Sequence, residues 1–173
     1  MPADEAKPRG SSRLDPGWLL LAAAALLLGR VALGVWDSSH PGAGRDYVRW
    51  TAADAATAEA RTSGKPILYD FNAAWCGPCQ AMKRDVFSNR GRAAALQSLV
   101  VPVTVVDRSH EDGRNPAYVD SLQKAFEIYA FPALVVVSPE TGRSEKREGY
   151  GDPEETLRWI ARSAASVRMT AAR

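Results

Sequence analysis

The sequence predicts an α/β sandwich built on a central mixed sheet and preceded by a single N-terminal transmembrane helix. Three observations lead there. Short apolar, largely β-branched runs at Ile67–Phe71, Val100–Val106 and Ala133–Val137 alternate with segments whose apolar residues recur at helical spacing. The first of these runs has no polar alternation, as expected of a central strand covered on both faces; only Asp70 interrupts it. Finally, Trp18–Trp36 is apolar throughout except for Arg30. At about 1.5 Å per helical residue that stretch spans roughly 28 Å, close to the hydrocarbon thickness of a bilayer.

The chain divides accordingly. Residues 1–17 are polar and rich in Pro, Gly and Ser, which predicts a disordered leader. Residues 18–36 are the expected anchor, with Trp18 and Trp36 suited to the two interfaces. A cleaved signal peptide is the rival reading, with Trp18–Gly29 as its apolar core and Ala32-Leu33-Gly34 as the cleavage site. Arg30 between those parts, and the long leader, favour the uncleaved anchor. Lys7, Arg9 and Arg13 favour an N-terminus on the cytoplasmic side, although Arg45 and Arg49 follow the span. Residues 37–45 read as a linker, 46–169 as the folded domain and 170–173 as a tail.

Within the domain, Thr51–Thr62 is alanine-rich and helical by propensity; Thr51 with Asp54 resembles a capping box, and Gly64 and Pro66 end the helix. After the strand Ile67–Phe71, Cys79, Met82 and Val86 show helical spacing, which breaks near Ser88–Gly91. Arg92–Ser98 reads as a further turn or two. Val100–Val106 is the next strand, with Pro102 near its start. Arg108–Ala117 reads as a solvated loop, and Tyr118–Ile128 as a helix. Ala133–Val137 and Arg143–Glu148 pair around a turn. The last helix starts with Asp152 as cap, Pro153 in first position and Glu154-Glu155 favouring the dipole; Leu157, Ile160, Ala161 and Ala164 make its apolar face. Tyr69, Phe87, Phe126 and Trp159 are expected in the core.

Twenty-two basic against 20 acidic residues give a net charge of +2 over 173 residues. That balance, with no basic cluster interleaved with aromatics, argues against a nucleic-acid partner.

The chemistry concentrates in Trp75-Cys76-Gly77-Pro78-Cys79, which contains both cysteines of the chain. They stand where a strand ends and a helix begins. Unpaired N–H groups and the dipole at a helix start favour a thiolate over a thiol, and Pro78 suits the first turn because its missing N–H needs no partner there. A structural zinc site needs four ligands; no second cysteine pair exists, and His40 and His110 lie in no ligand-spaced motif, so no metal is expected. An inert disulfide is the other bland reading, but so small a loop constrains the unfolded chain little. Asp70, taken alone, is either an acid that reaches water or a buried carboxyl behind the cysteines.

Lys65–Phe71 followed by Trp75–Cys79, with Asp70 six positions before Cys76 and Phe131-Pro132 downstream, is similar to the thioredoxin active-site signature. The continuation Met82–Ser88 resembles the C-terminal domain of the membrane thiol–disulfide interchange proteins. The resemblance covers residues 46–169 and implies a thioredoxin-like α/β/α sandwich. It implies a redox-active pair in which Cys76 attacks a client disulfide and Cys79 resolves the mixed disulfide, with Asp70 trading protons with Cys79. It implies that Trp75, Gly77, Pro78, Phe131 and a cis Pro132 form the client surface. No cofactor is implied. The expected partners are disulfide-containing client proteins, a membrane or extracytoplasmic redox partner and the cytoplasmic membrane, with the domain on the periplasmic side. Gly77-Pro78 favours reduction of clients; disulfide oxidation or isomerisation, a tethered binding module without turnover, and a dithiol metal carrier are the alternatives. Two departures from the resemblance stand out. Val103 stands where thioredoxins carry a lysine near the buried acid, and Phe131 is bulkier than the residue many relatives place before the proline.

Overall fold

The structure, a computed structural model, describes residues 45–169 together with Ala25, Leu26 and Gly29. The expected leader, nearly all of the expected anchor, the linker up to residue 44 and the tail 170–173 lie outside the described residues. No helix among the described residues is long and apolar enough to cross a membrane.

Four strands form one mixed sheet. They are β1 (Ile67–Ala73), β2 (Val101–Asp107), β3 (Ala133–Val137) and β4 (Ser144–Glu148), in the order β2-β1-β3-β4. β1 runs parallel to β2 and antiparallel to β3, and β3 runs antiparallel to β4. The absence of polar alternation in β1 has its expected cause. Ile67, Tyr69 and Phe71 pack on one face of the sheet with Val103, Val105 and Val135, while Leu68 packs on the other with Leu134 and Val136.

Helices cover both faces. α1 (Ala56–Ser63) and α5 (Ala117–Ala125) meet the first face through Ala56, Ala60, Val119 and Leu122. α2 (Gly77–Met82), α3 (Arg90–Leu99) and α6 (Pro153–Met169) meet the second through Met82, Leu96, Ile160 and Ala164. The short α4 (Ser109–Asp112) lies between β2 and α5, in what the sequence reads as loop. The layers are therefore the expected α/β/α sandwich.

Three sequence expectations are corrected. First, α1 starts at Ala56 with Ala55 before it and no side-chain cap, so the Thr51–Asp54 capping box does not form. Thr51 is used elsewhere: its N–H donates to the Pro102 carbonyl on β2 at 2.8 Å and its hydroxyl to Glu59 at 2.9 Å. Second, the active-site helix does not run on at one period. Lys83–Phe87 is a π-helical turn, with the Ser88 N–H reaching the Lys83 carbonyl at 2.8 Å. The extra residue in that turn puts consecutive Val86 and Phe87 both into the core. Third, Val103 does not stand beside the acid. The register sets Asp70 opposite Thr104, whereas Val103 pairs with Tyr69 and shares its apolar face.

Residues 46–51 lead into the domain without forming a strand, yet they are well tied. The Tyr47 N–H donates to the Phe87 carbonyl at 2.9 Å, the Arg49 N–H to Gln97 Oε1 at 2.9 Å, and the Trp50 ring meets Phe87 edge-on at 5.0 Å. At the far end, Asp152 Oδ1 accepts the Glu155 N–H at 2.8 Å, as expected of the cap of α6.

Candidate active site

β1 ends at Ala73, and the Cys76 N–H turns back to the Ala73 carbonyl at 3.2 Å. This tight exit makes Cys76 the N-cap of α2, with extended φ −80° and ψ 106°, followed by Gly77 and Pro78 in the first turn. Its sulfur accepts the Cys79 N–H at 3.2 Å, so an otherwise unpaired helix N–H points at Cys76 Sγ. Cys76 and Cys79 form a disulfide with their Cα atoms 5.3 Å apart. Exposure does not distinguish them, at 3% and 5%. What distinguishes them is position: Cys76 Sγ receives the N–H and faces the positive end of the helix, which favours its thiolate once the bond is reduced.

Around the pair, Ala73, Cys76 and Cys79 make a small buried cluster against which Phe131 packs. The Phe131–Pro132 peptide bond is cis, and Pro132 is buried with its carbonyl accepting the Gly149 N–H at 2.8 Å. Trp75 is 56% exposed. Its ring lies 6.0 Å from Phe131 and 6.3 Å from His110. The structure thus gathers Trp75, Gly77, Pro78, Phe131 and Pro132 about the cysteines, and adds His110, which sequence spacing gave no reason to include.

Asp70 lies behind the disulfide at 2% exposure. Its Oδ2 accepts the Asn72 side-chain N–H at 2.8 Å, while its Oδ1 is buried with no hydrogen-bond partner. The same Asn72 amide donates to Thr104 Oγ1 at 2.9 Å. Burial pushes the Asp70 carboxyl up to about 7; the Asn72 bond works against that rise, and the negative charge of Asp46 adds to it. A carboxyl poised there is half protonated near neutrality, which is where a proton acceptor for a thiol is useful.

Asp70, Asn72, Cys79 and Thr104 line a cavity of about 360 Å³ together with Asp46, Gln80 and Lys83, walled by Trp50 and Phe87. The sequence reading passes over Asn72, although its place two residues after Asp70 on one face of a strand was a usable signal. Asp46 gave no such signal, because only the fold brings residues 46 and 70 together. A larger groove, about 890 Å³, is lined by Trp50, Tyr69, Thr104, Tyr118 and Leu122 and contains neither cysteine. Asp107 closes β2 and organises the following loop. It accepts from the Ser109 N–H (3.0 Å), the Ser109 hydroxyl (2.6 Å), Asn115 (2.9 Å) and Gln123 (2.8 Å). Among the described residues no group of three or more His, Cys, Asp or Glu side chains could hold a metal.

Comparison with known proteins agrees with this geometry. The thioredoxin-like family model matches residues 49–139. The chain is 31% identical over 104 residues to thiol:disulfide interchange protein DsbD 1 of Pseudomonas aeruginosa, covering 58% of this chain and 16% of that protein. It is 29% identical over 116 residues to DsbD of Ralstonia nicotianae, covering 66% and 18%. The chain therefore spans less than a fifth of the length of these relatives. Among solved structures, a thioredoxin from Thermus thermophilus superposes with a TM-score of 0.57 at 22% identity, over 70% of this chain and 90% of that one. The oxidised C-terminal domain of Neisseria meningitidis DsbD superposes with a TM-score of 0.52 at 19% identity, over 64% and 90%. These two show the shared fold.

Proposed function

We propose, from the premise that this chain belongs to the thioredoxin-like family, that it is a thiol–disulfide oxidoreductase that reduces disulfides of exported client proteins. The observation that supports this best is the pairing of a Cys76–Cys79 disulfide at a helix start with a buried, under-bonded Asp70 behind it.

In the reduced protein, the Cys76 thiolate attacks a client disulfide. The client S–S bond breaks, a Cys76–client disulfide forms, and the departing client thiolate takes a proton. Cys79 then gives its proton to Asp70 and attacks Cys76 Sγ. The mixed disulfide breaks, the Cys76–Cys79 bond closes, and the second client thiol leaves. Two electrons pass to the client, and a thiol donor must return them to the pair for another turnover. Trp75 and Phe131, with Gly77, Pro78 and Pro132, form the surface on which the client lies. The direction rests on Gly77-Pro78, which resembles the reducing thioredoxins. The apolar stretch 18–36 supports a tether that holds residues 37–173 on the periplasmic side of the cytoplasmic membrane, near a membrane redox partner.

The test is reduction of insulin disulfides by the full-length protein with a supplied thiol reductant, wild type beside Cys76→Ser. Turnover by wild type alone is expected. Faster oxidation of a reduced client than reduction of its disulfide would reverse the direction, and no turnover with retained client binding would establish a binding module. Cys79→Ser should accumulate mixed disulfides on Cys76, whose masses identify the clients. A reporter active only outside the cytoplasm, fused after Arg173, checks the topology.

A further inference from the structure

The loop after β2 is closely tied and yet adds nothing to the core. Besides the four bonds that Asp107 accepts, the Arg108 N–H donates to Asn115 Oδ1 at 2.7 Å and the Asp112 N–H to the Arg108 carbonyl at 2.8 Å. Arg108 and Asp112 form an ion pair at 2.7 Å, and Gly113 turns the chain out of α4 at φ 72°. Residues 108–114 are nevertheless exposed throughout, and α4 buries none of its side chains. Ordering a segment costs conformational entropy that burial usually offsets; here burial offsets none of it. The one ring this loop carries is His110, and it lies 6.3 Å from the Trp75 ring at an interplanar angle of 52°. Phe131, beside the cis proline, meets the same indole at 6.0 Å and 69°. Both separations fall within the range of attractive aromatic pairs. Two rings from separate parts of the chain thus bear on an indole that is 56% exposed.

We propose that His110 is a positioning residue for client docking, holding the Trp75 indole in the orientation that a client meets. This role rests on the reading of the protein as a disulfide reductase that docks clients on Trp75. Its physical basis is preorganisation. An exposed indole with nothing beside it samples several rotamers, and a docking client must freeze one of them. A ring packed on it in the free protein removes part of that cost, so the same contacts bind more tightly. The hydrogen bonds at Asp107 serve this by fixing the backbone on which His110 stands.

The experiment uses the full-length protein, reducing insulin with a supplied thiol reductant. His110→Ala should raise KM for insulin on the order of two- to tenfold, the contribution of one aromatic pair, with the loss on KM rather than kcat. His110→Phe keeps a ring without the ring nitrogens and should bring KM back to the wild-type value. In a Trp75→Ala background, His110→Ala should change KM no further, because the residue acts through the indole. Fluorine NMR of protein labelled with 5-fluorotryptophan reads the ring with no client present. The Trp75 resonance, assigned by its loss in Trp75→Phe, should report a more mobile indole in His110→Ala and an ordered one in His110→Phe. An equally ordered indole in His110→Ala would overturn the proposal, and so would an unchanged KM. A KM that rises equally with and without the indole would overturn it too, since His110 would then touch the client itself. Insulin left intact by the wild-type protein would instead sink the reductase reading, and the fluorine relaxation would still decide whether His110 holds the ring.

Discussion

Asp70 and Asp107 are both strand acids, at 2% and 7% exposure, and they behave in opposite ways. Asp70 has one side-chain donor and an orphaned oxygen, and its carboxyl is pushed up to about 7. Burial pushes Asp107 upward too, but donors from Gln123, Ser109 and Asn115 outweigh it and hold that carboxyl down at about 2. Asp70 is the more deeply buried of the two and has the fewer donors, so burial and the number of donors together decide whether each acid is charged. The difference separates two tasks. Asp107 is a permanent anion around which the loop carrying His110 is folded. Asp70 is left under-bonded, where the proposed mechanism needs a proton to come and go.

The largest expected effect breaks the Asp107 side. Asp107→Ala leaves donors from Ser109, Asn115 and Gln123 without their acceptor, and denaturant melts at neutral pH should show a loss of about 2–4 kcal/mol. A loss under about 0.5 kcal/mol, typical of an ordinary surface site, would mean the loop does not depend on this anion.

The next effect has the opposite sign. The folded state holds a proton on Asp70 up to about pH 7, whereas an unfolded aspartate releases it near pH 3.9. Between those values the folded state binds more protons, so this group's contribution to stability falls as pH rises through the window and is lowest above about 7. Asp70→Asn should therefore stabilise the protein by roughly 1–3 kcal/mol at pH values above that window and by almost nothing near pH 4. Melts across pH check this, and a destabilised variant at alkaline pH would refute it.

Asp107→Asn sharpens the contrast at the acid end. The depressed carboxyl adds stability above its unfolded value near 3.9 that is lost as pH falls through about 2. Wild type should lose stability over that window, while the Asn variant, already weaker by about 1 kcal/mol from poorer acceptance, should lose less. Equal slopes in acid melts would argue against the donors as the cause.

The smallest effect is Asn72→Ala. It removes the donor on Asp70 Oδ2 that opposes the upward shift. The Asp70 carboxyl should titrate still higher, by under about one pH unit, as carbon-13 shifts would report.

Much of the fold was legible because it is local. β3 begins and ends where its apolar run does. Gly64 caps α1 in the left-handed conformation at φ 66°, and Asp152 with Pro153 starts α6. The cysteine pair announces itself by spacing, and an acid in an apolar strand marks Asp70 for scrutiny. The corrections have nonlocal causes. Thr51 gives up its capping role because β2 offers its backbone a partner. Register is not written in either strand alone, so the residue beside Asp70 is Thr104 rather than Val103. Asp46 joins the site from 24 residues before Asp70, with no motif to mark it.

The lead-in segment bears on where this domain can be cut from its chain. β2 is an edge strand, and the Thr51 N–H occupies the outward Pro102 carbonyl, while Tyr47 and Trp50 cover Phe87. A fragment begun at Ala52, just before the first helix, would keep every strand and helix of the sandwich. It would also present a bare sheet edge and a naked aromatic side by side, a template for pairing with another chain. It would lack one wall of the space behind the cysteines as well. A fragment that keeps residues 46–51 avoids both, since irregular backbone there serves as the sheet's selvedge.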